Sequence, residues 1–314
     1  MKKGQIEISF NWIFVMFAGA AILLFFILLI NQQTDESQEE LARTISVRLE
    51  NVFGSLQGPT DTIQVHDVLT RELVFECDIQ GHSYTVERAR YTSFIDEVLF
   101  SPRTVGSSEI ISWALTYKAP FPIQPMLLVS DANTHYVFVD GAAQDIRFKM
   151  REHFSTSTII NPSDFADRGH RHYVFITTNS GFSVPSSVSQ KSSKVIIGDR
   201  VANINNQDVI VPTQELLAAA IISGDAELYN CGLEKLDVPI NVAHELVKQR
   251  ARLLKQQYVG TDCENFYQDS LIKNRIDNML THYNNDDMDL FHEEIQRLED
   301  NNQNMRRRGC VALY

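Results

Sequence analysis

Hydrophobic and polar positions divide the 314-residue chain into stretches of different rhythm. The first is continuous. No residue from Ile8 to Thr34 is charged, and Phe10 to Ile30, 21 residues, holds Asn11 as its one strongly polar member. As a helix rising about 1.5 Å per residue this run spans roughly 30 Å, the hydrocarbon thickness of a bilayer. A secretory signal has a shorter apolar region, about 7–15 residues, followed by a small-residue cleavage site. Here the run closes on Leu28-Leu29-Ile30-Asn31-Gln32-Gln33. The pattern predicts a retained transmembrane helix over residues 10–31, behind a short cytoplasmic segment 1–9.

The second stretch has helical periodicity. Leu41, Ile45, Leu49, Val52, Phe53 and Leu56 recur with Glu39, Glu40, Arg43, Arg48 and Glu50 between them. This predicts an amphipathic stem helix over 32–57, closed by Gly54 and Gly58-Pro59. Its apolar stripe needs a cover, either the chain's own globular part or another subunit.

Residues 58–211 alternate in shorter runs and predict a mixed α/β ectodomain. Strands are expected at 62–65, 72–79, 82–88, 126–130, 135–139, 172–178, 194–198 and 209–211. Gln80-Gly81 and Asp131-Ala132-Asn133-Thr134 look like hairpin turns. Ile146, Met150 and Phe154 mark a helix over 140–154, so that 126–178 permits a βαβ crossover. Segment 179–193 looks like an exposed loop. Residues 212–314 change to helical spacing. Pro212-Thr213-Gln214-Glu215 opens a helix that Ser223-Gly224-Asp225 ends. Three more are centred on Val247–Tyr258, Ile272–Tyr283 and Met288–Leu298. They should form a helical subdomain or cover a sheet face. The end, Gly309 to Tyr314, reads as a short strand. The fold class is therefore α+β, a mixed α/β ectodomain plus a C-terminal helical region, on one N-terminal transmembrane helix.

Charge gives this architecture a direction. Lys2 and Lys3 precede the apolar run, and Asp35, Glu36, Glu39 and Glu40 follow it. The positive-inside rule places the N-terminus in the cytoplasm and the bulk of the chain outside. The part after the run holds 26 basic and 39 acidic residues, a balance that argues against nucleic-acid binding. Four cysteines, Cys77, Cys231, Cys263 and Cys310, all lie on the outer side. An even number in an oxidising compartment reads as two disulfides, the alternative being buried thiols. Cys231 and Cys263 flank a helix expected to be crossed by its neighbours, and Cys77 and Cys310 both fall in expected strands. The expected pairing is Cys231–Cys263 and Cys77–Cys310.

Catalytic motifs are scarce. His244-Glu245 and His292-Glu293 lack the second histidine that would complete a zinc helix. No phosphate loop, dinucleotide fingerprint or nucleophile elbow occurs. Asp286, Asp287 and Asp289, with Glu293 and Glu294, favour the positive end of a helix dipole over a cation site. Arg306-Arg307-Arg308 fits a hydrated helix end, and Trp113–Phe121 fits core packing better than a docking surface. His170 and His172 are the weak metal candidates, because alternation in an extended segment puts both imidazoles on one face. His135 would join them if its strand were adjacent. No cofactor is implied.

Lys2-Lys3-Gly4-Gln5, followed by Glu7 and the apolar run, resembles the class III signal peptide of archaeal pilins and other type IV pilin-like proteins. The likeness implies cleavage by a prepilin peptidase between Gly4 and Gln5, with the apolar helix as an assembly stem. Pilins carry their glutamate fifth after the cut, and Glu7 would be third. Glu7 either sits hydrated at the cytoplasmic interface or pairs with a neighbouring subunit. The string from Gln5 to Phe14 is also similar to the start of archaeal single-pass membrane proteins of no known activity. The expected function is a non-enzymatic, membrane-anchored extracytoplasmic component of a cell-surface or pilin-like system, with the bilayer and copies of itself or surface proteins as partners. The alternative is an extracytoplasmic metal-dependent hydrolase or a ligand-binding receptor built on the α/β region.

Overall fold

The computed structural model describes residues 4–55, 62–67, 72–78, 81–86, 91–94, 97–106, 109–141, 144–153, 159–160, 172–188, 192–285 and 287–314. The described residues combine helices and strands, an α+β composition. It opens with one helix, α1 (Gly4–Ser55), which joins the apolar run to the stem without a break. The described side chains of the run are continuous from Val15 to Ile30, about 24 Å of helix, and all but Ala18 are exposed. Among the described residues no helix is long and apolar enough to cross a membrane.

Among the described residues three sheets follow. The central one has the order β1 (Thr62–Asp67), β7 (Glu109–Lys118), β8 (Pro122–Asp131), β5 (Val98–Phe100). A smaller antiparallel sheet has the order β4 (Tyr91–Phe94), β3 (Gly81–Val86), β2 (Leu73–Asp78), β6 (Thr104–Val105). The third contains β10 (Ile159–Ile160), β9 (Thr134–Phe138), β11 (His172–Thr177), β12 (Ser192–Ile197), β13 (Val201–Ile204) and β14 (Gln207–Ile210), in that order. In it β9, β11 and β12 are parallel, and helix α2 (Gln144–His153) lies between β9 and β11 in the chain, as the crossover expectation required.

The central sheet is a wall between two hydrophobic cores, because alternate side chains of a strand point to opposite faces. From β7, Ile111, Trp113, Leu115 and Tyr117 enter the larger core, while Ile110 and Ala114 enter the smaller. From β8, Met126 and Leu128 go one way, Leu127 and Val129 the other. The larger core is closed by α3 (Gln214–Ser223), α4 (Ala226–Gln257), α5 (Asp269–Asn284) and α6 (Met288–Arg307), so the helical region covers a sheet face. The smaller core lies against the β2–β3 sheet, and Ile45 and Leu49 of α1 are buried in it. Tyr84 Oη donates to the carbonyl of Ser46 at 3.4 Å. The stem stripe thus packs on its own chain at these two positions; Leu41, Val52, Phe53 and Leu56 lie outside the described side chains.

Several local expectations hold for the reasons given. Thr213 caps α3 by accepting from the Leu216 N–H, and Gly224, with φ 54°, ends it in the left-handed conformation that glycine adopts at little cost. β2 and β3 pair as an antiparallel hairpin. Asp287 caps α6 by accepting from the Leu290 N–H, so this part of the acidic patch serves the helix end; Asp286 lies outside the described residues.

Others are corrected. Asp131–Thr134 is not a hairpin turn: β8 and β9 belong to different sheets, and the tight turn carries the chain from one to the other. The second expected helix is far longer, since α4 begins at Ala226 and continues through Pro239. Gly232 allows α4 to approach β5, as a Cβ there would stand 2.5 Å from the Phe100 ring and 2.8 Å from the Leu99 carbonyl. The final residues are not a strand. Helix side chains hold their backbone instead: Tyr267 Oη donates to the Val311 carbonyl, Asn302 Oδ1 accepts from the Leu313 N–H, and Arg306 donates to the Tyr314 carbonyl.

The disulfides are Cys77–Cys231 and Cys263–Cys310, which overturns the expected pairing. Cys231 sits in the second turn of α4, and the helix then runs on to Gln257, about 39 Å further at 1.5 Å per residue, without reversing. Cys231 cannot reach Cys263. It faces β2 and its Cys77. The terminal segment lies beside the 3-10 turn Glu264–Tyr267 and brings Cys310 to Cys263.

Candidate functional site

The histidine site expected from sequence falls on the amino-terminal edge of the parallel strands. His172 opens β11 opposite Thr134, the first residue of β9. Its Nε2 lies 3.3 Å from Ser193 Oγ on β12. Asp131 is the last residue of β8, just before the turn into β9, and is buried; its Oδ2 accepts from the Gly106 N–H at 2.8 Å and its Oδ1 from Thr134 Oγ1 at 2.7 Å. Burial lowers the His172 pKa, and the negative charge of Asp131 partly opposes this. His170 lies outside the described residues.

His135 does not join this group. Its strand is adjacent, but β9 and β11 pair with His172 opposite Thr134 and Tyr173 opposite His135. One residue of offset is one reversal of face. His172 therefore shares its side with Val174 and Ile176 of the larger core, while His135 stacks near Tyr173, centroids 5.6 Å apart, on the side covered by Phe182, Val184 and Val188. The Val188 end of the expected exposed loop is buried there. Among the described residues no three His, Cys, Asp or Glu side chains converge to hold a metal ion.

Aspartate, histidine and serine together suggest nucleophilic catalysis, which needs a carboxylate to orient the imidazole and an open path to the hydroxyl. Here both carboxylate oxygens of Asp131 accept from Gly106 and Thr134, and Ser193 is buried against Gly224. The arrangement fastens the β8–β9 turn and the β11–β12 edge. Asp131 and Ser193 carried no motif of their own; the spacing of Asp131 and Thr134 was the visible signal, since a short polar side chain at a turn bonds a few residues on.

The remaining candidates are also absorbed by the fold. Arg306 holds the Tyr314 carbonyl, and the Arg308 guanidinium lies 5.5 Å from the Phe266 ring. Trp113, Tyr117 and Phe121 are core residues. His82 on β3, with Nε2 3.3 Å from the Leu228 carbonyl, and His244 on α4, bonded to the Ile240 carbonyl, are buried. Burial pushes both pKa values down to about 4, the charge of Lys235 adding to the effect at His82.

No protein-family model, curated protein or solved structure matches the chain. The functional reading therefore rests on the chain's own geometry, where α1 is the element with unsatisfied physical demands. Phe17, Leu23, Phe25 and Leu28 are each about 60–75% exposed to solvent, about 25 Å and more along the helix from the buried Ile45 and Leu49. Gly4 and Gln5 open the same helix.

Proposed function

We propose that this protein is a single-pass, membrane-anchored extracytoplasmic subunit of a cell-surface or pilin-like assembly, held by the apolar half of α1. The observation that carries the reading is that one helix is apolar on all sides from Val15 to Ile30 and amphipathic at Ile45 and Leu49. A helix apolar all round requires an apolar surround. The second part of α1 has its cover in the small core, and the first part has its cover in lipid or in the stems of neighbouring copies. The two disulfides support an oxidising compartment for the globular part. Lys2 and Lys3 before the run, and the acidic residues after it, support an outward orientation.

Gly4-Gln5 is the processing site in this reading. In cells with a prepilin peptidase, intact mass should show a chain beginning at Gln5, and Gly4→Val should retain residues 1–4. A mature chain still carrying Lys2 removes the pilin-like part of the proposal and leaves the anchor. Protease added to intact cells should digest the globular part; its full protection, with rapid digestion after lysis, counts against the orientation.

A further inference from the structure

Helix α4 buries one face and leaves the opposite one bare. Leu236, Ile240, Val247, Ala251 and Leu254 are in the larger core. On the outer side Val238, Val242, Leu246 and Leu253 are 71, 55, 60 and 65% exposed, and Val259, just past the helix end, is 66% exposed. At 100° per residue the four helical positions fall within one stripe. Single exposed valines and leucines need no explanation, but the order here is regular. When Val242, Leu246, Gln249 and Leu253 are taken as d, a, d and a of a heptad frame, the g positions read Val238, Glu245, Arg252, Val259.

We infer that this stripe is the contact between two copies of the chain, paired antiparallel through α4. Stacking Leu246 on Gln249 of the second copy, and Val242 on Leu253, fixes the register. In that register the g edges face each other with Glu245 against Arg252, twice by symmetry, and Val238 faces the end of the partner helix, beyond which Val259 lies in the turn. The edge is thus complementary to its own reverse in its charged positions. A parallel pairing stacks Gln249 on Gln249 and sets Glu245 against Arg250. The mixed charges along the stripe fit a protein edge of the same composition and not an anionic lipid surface. Within its own chain Glu245 accepts from Lys248 at 2.5 Å and remains 62% exposed, so its carboxylate is open to a second cation. The pairing uses α4 alone and does not depend on α1 lying in a membrane. Where α1 does anchor the chain, it confines copies to a plane and favours their meeting.

The test is the mass of the full-length protein in detergent over a concentration series. The wild type should show a monomer–dimer equilibrium. Leu246→Asp should weaken it about a hundredfold, with thermal unfolding unchanged at the dilute end of the series, where the wild type is monomeric, because the site is exposed in one chain. Glu245→Arg alone should weaken it about tenfold by placing arginine against arginine, and Arg252→Glu added to it should restore affinity to about the wild-type value. Residues 245 and 252 are two turns apart in one chain, so this rescue arises between copies. A wild type that is monomeric across the series, or a dimer indifferent to Leu246→Asp, overturns the interface. Rescue by Arg250→Glu in place of Arg252→Glu overturns the antiparallel geometry.

Discussion

The two faces of the β1–β7–β8–β5 sheet carry cores of unequal size. Among the described residues the smaller contains 13 buried apolar side chains and the larger 46. A cluster that small removes too little surface from water to stand alone. It is tied to the larger one by Cys77–Cys231 from β2 to α4, and by Arg103, whose guanidinium bonds Asp225 at 2.9 Å and Glu227 at 2.6 Å at the start of α4. It is also the core on which α1 docks. The smaller core thus receives α1, and the Cys77–Cys231 bond links it covalently to the helical part.

The disulfides separate the two regions most sharply. Cys77–Cys231 joins residues 154 apart and Cys263–Cys310 residues 47 apart. In the chain-entropy account these stabilise by about 5 and about 4 kcal/mol. Replacing Cys77 and Cys231 together by serine should lower stability by that order and speed amide exchange first in β2 and β3. Replacing Cys263 and Cys310 should free the terminal segment and leave β2 and β3 protected. Equal exchange in both variants would remove the distinction.

The stem contact comes next. Leu49→Ala should cost about 3 kcal/mol, as a fully buried leucine leaves a cavity among Phe75, Tyr84 and their neighbours. Leu23→Ala, at an exposed position of the same helix, should change the stability of the globular part by less than about 0.5 kcal/mol. Differential unfolding of the two variants, followed by tyrosine and tryptophan fluorescence, measures the difference.

Acid should act on both cores. His82, in the hairpin beside the smaller core, and His244, against Phe121 in the larger, are held neutral, with pKa values near 4 against 6.5 when unfolded. Between pH 6.5 and 4 the unfolded chain binds protons that the native chain refuses. Stability is therefore full above pH 6.5, declines as pH falls toward 4, and levels off below, by about 3 kcal/mol for each histidine. His82→Asn should remove about half of this slope in denaturant titrations at pH 7 and pH 4.5.

The smallest effect belongs to the α4 cap. Asp225 accepts from the Glu227 and Leu228 N–H groups, and Asp225→Ala should cost about 1–2 kcal/mol, part of it through the loss of the Arg103 ion pair. That pair is partly exposed, so Arg103→Lys, which keeps the charge but not the fork that spans Asp225 and Glu227, should cost less than about 1 kcal/mol.

Much of this was readable in the chain where local chemistry decides structure. Thr213 and Gly224 mark both ends of α3, and the β9–α2–β11 crossover follows from its order. β7 was missed because Ile110 to Tyr117 is buried on both faces, between two cores, and so lacks alternation. The helix expected around Val247–Tyr258 covers less than half of α4, which already begins at Ala226 and continues through Gly232, where the missing side chain allows the contact with β5, and Pro239. That one error produced the wrong disulfides, since a helix starting at Ala226 carries Cys231 to β2. The expected histidine pair rested on alternation within one strand. Whether His135 joined it depended on the register between strands, which only the fold decides.

The central claim is that the apolar half of α1 holds the chain in a membrane. Cell membranes washed with alkaline carbonate test it most directly. The account predicts that the full chain stays in the pellet, is released by detergent, and moves to the soluble fraction when residues 8–30 are removed. Release of the intact, full-length chain by carbonate alone would contradict it.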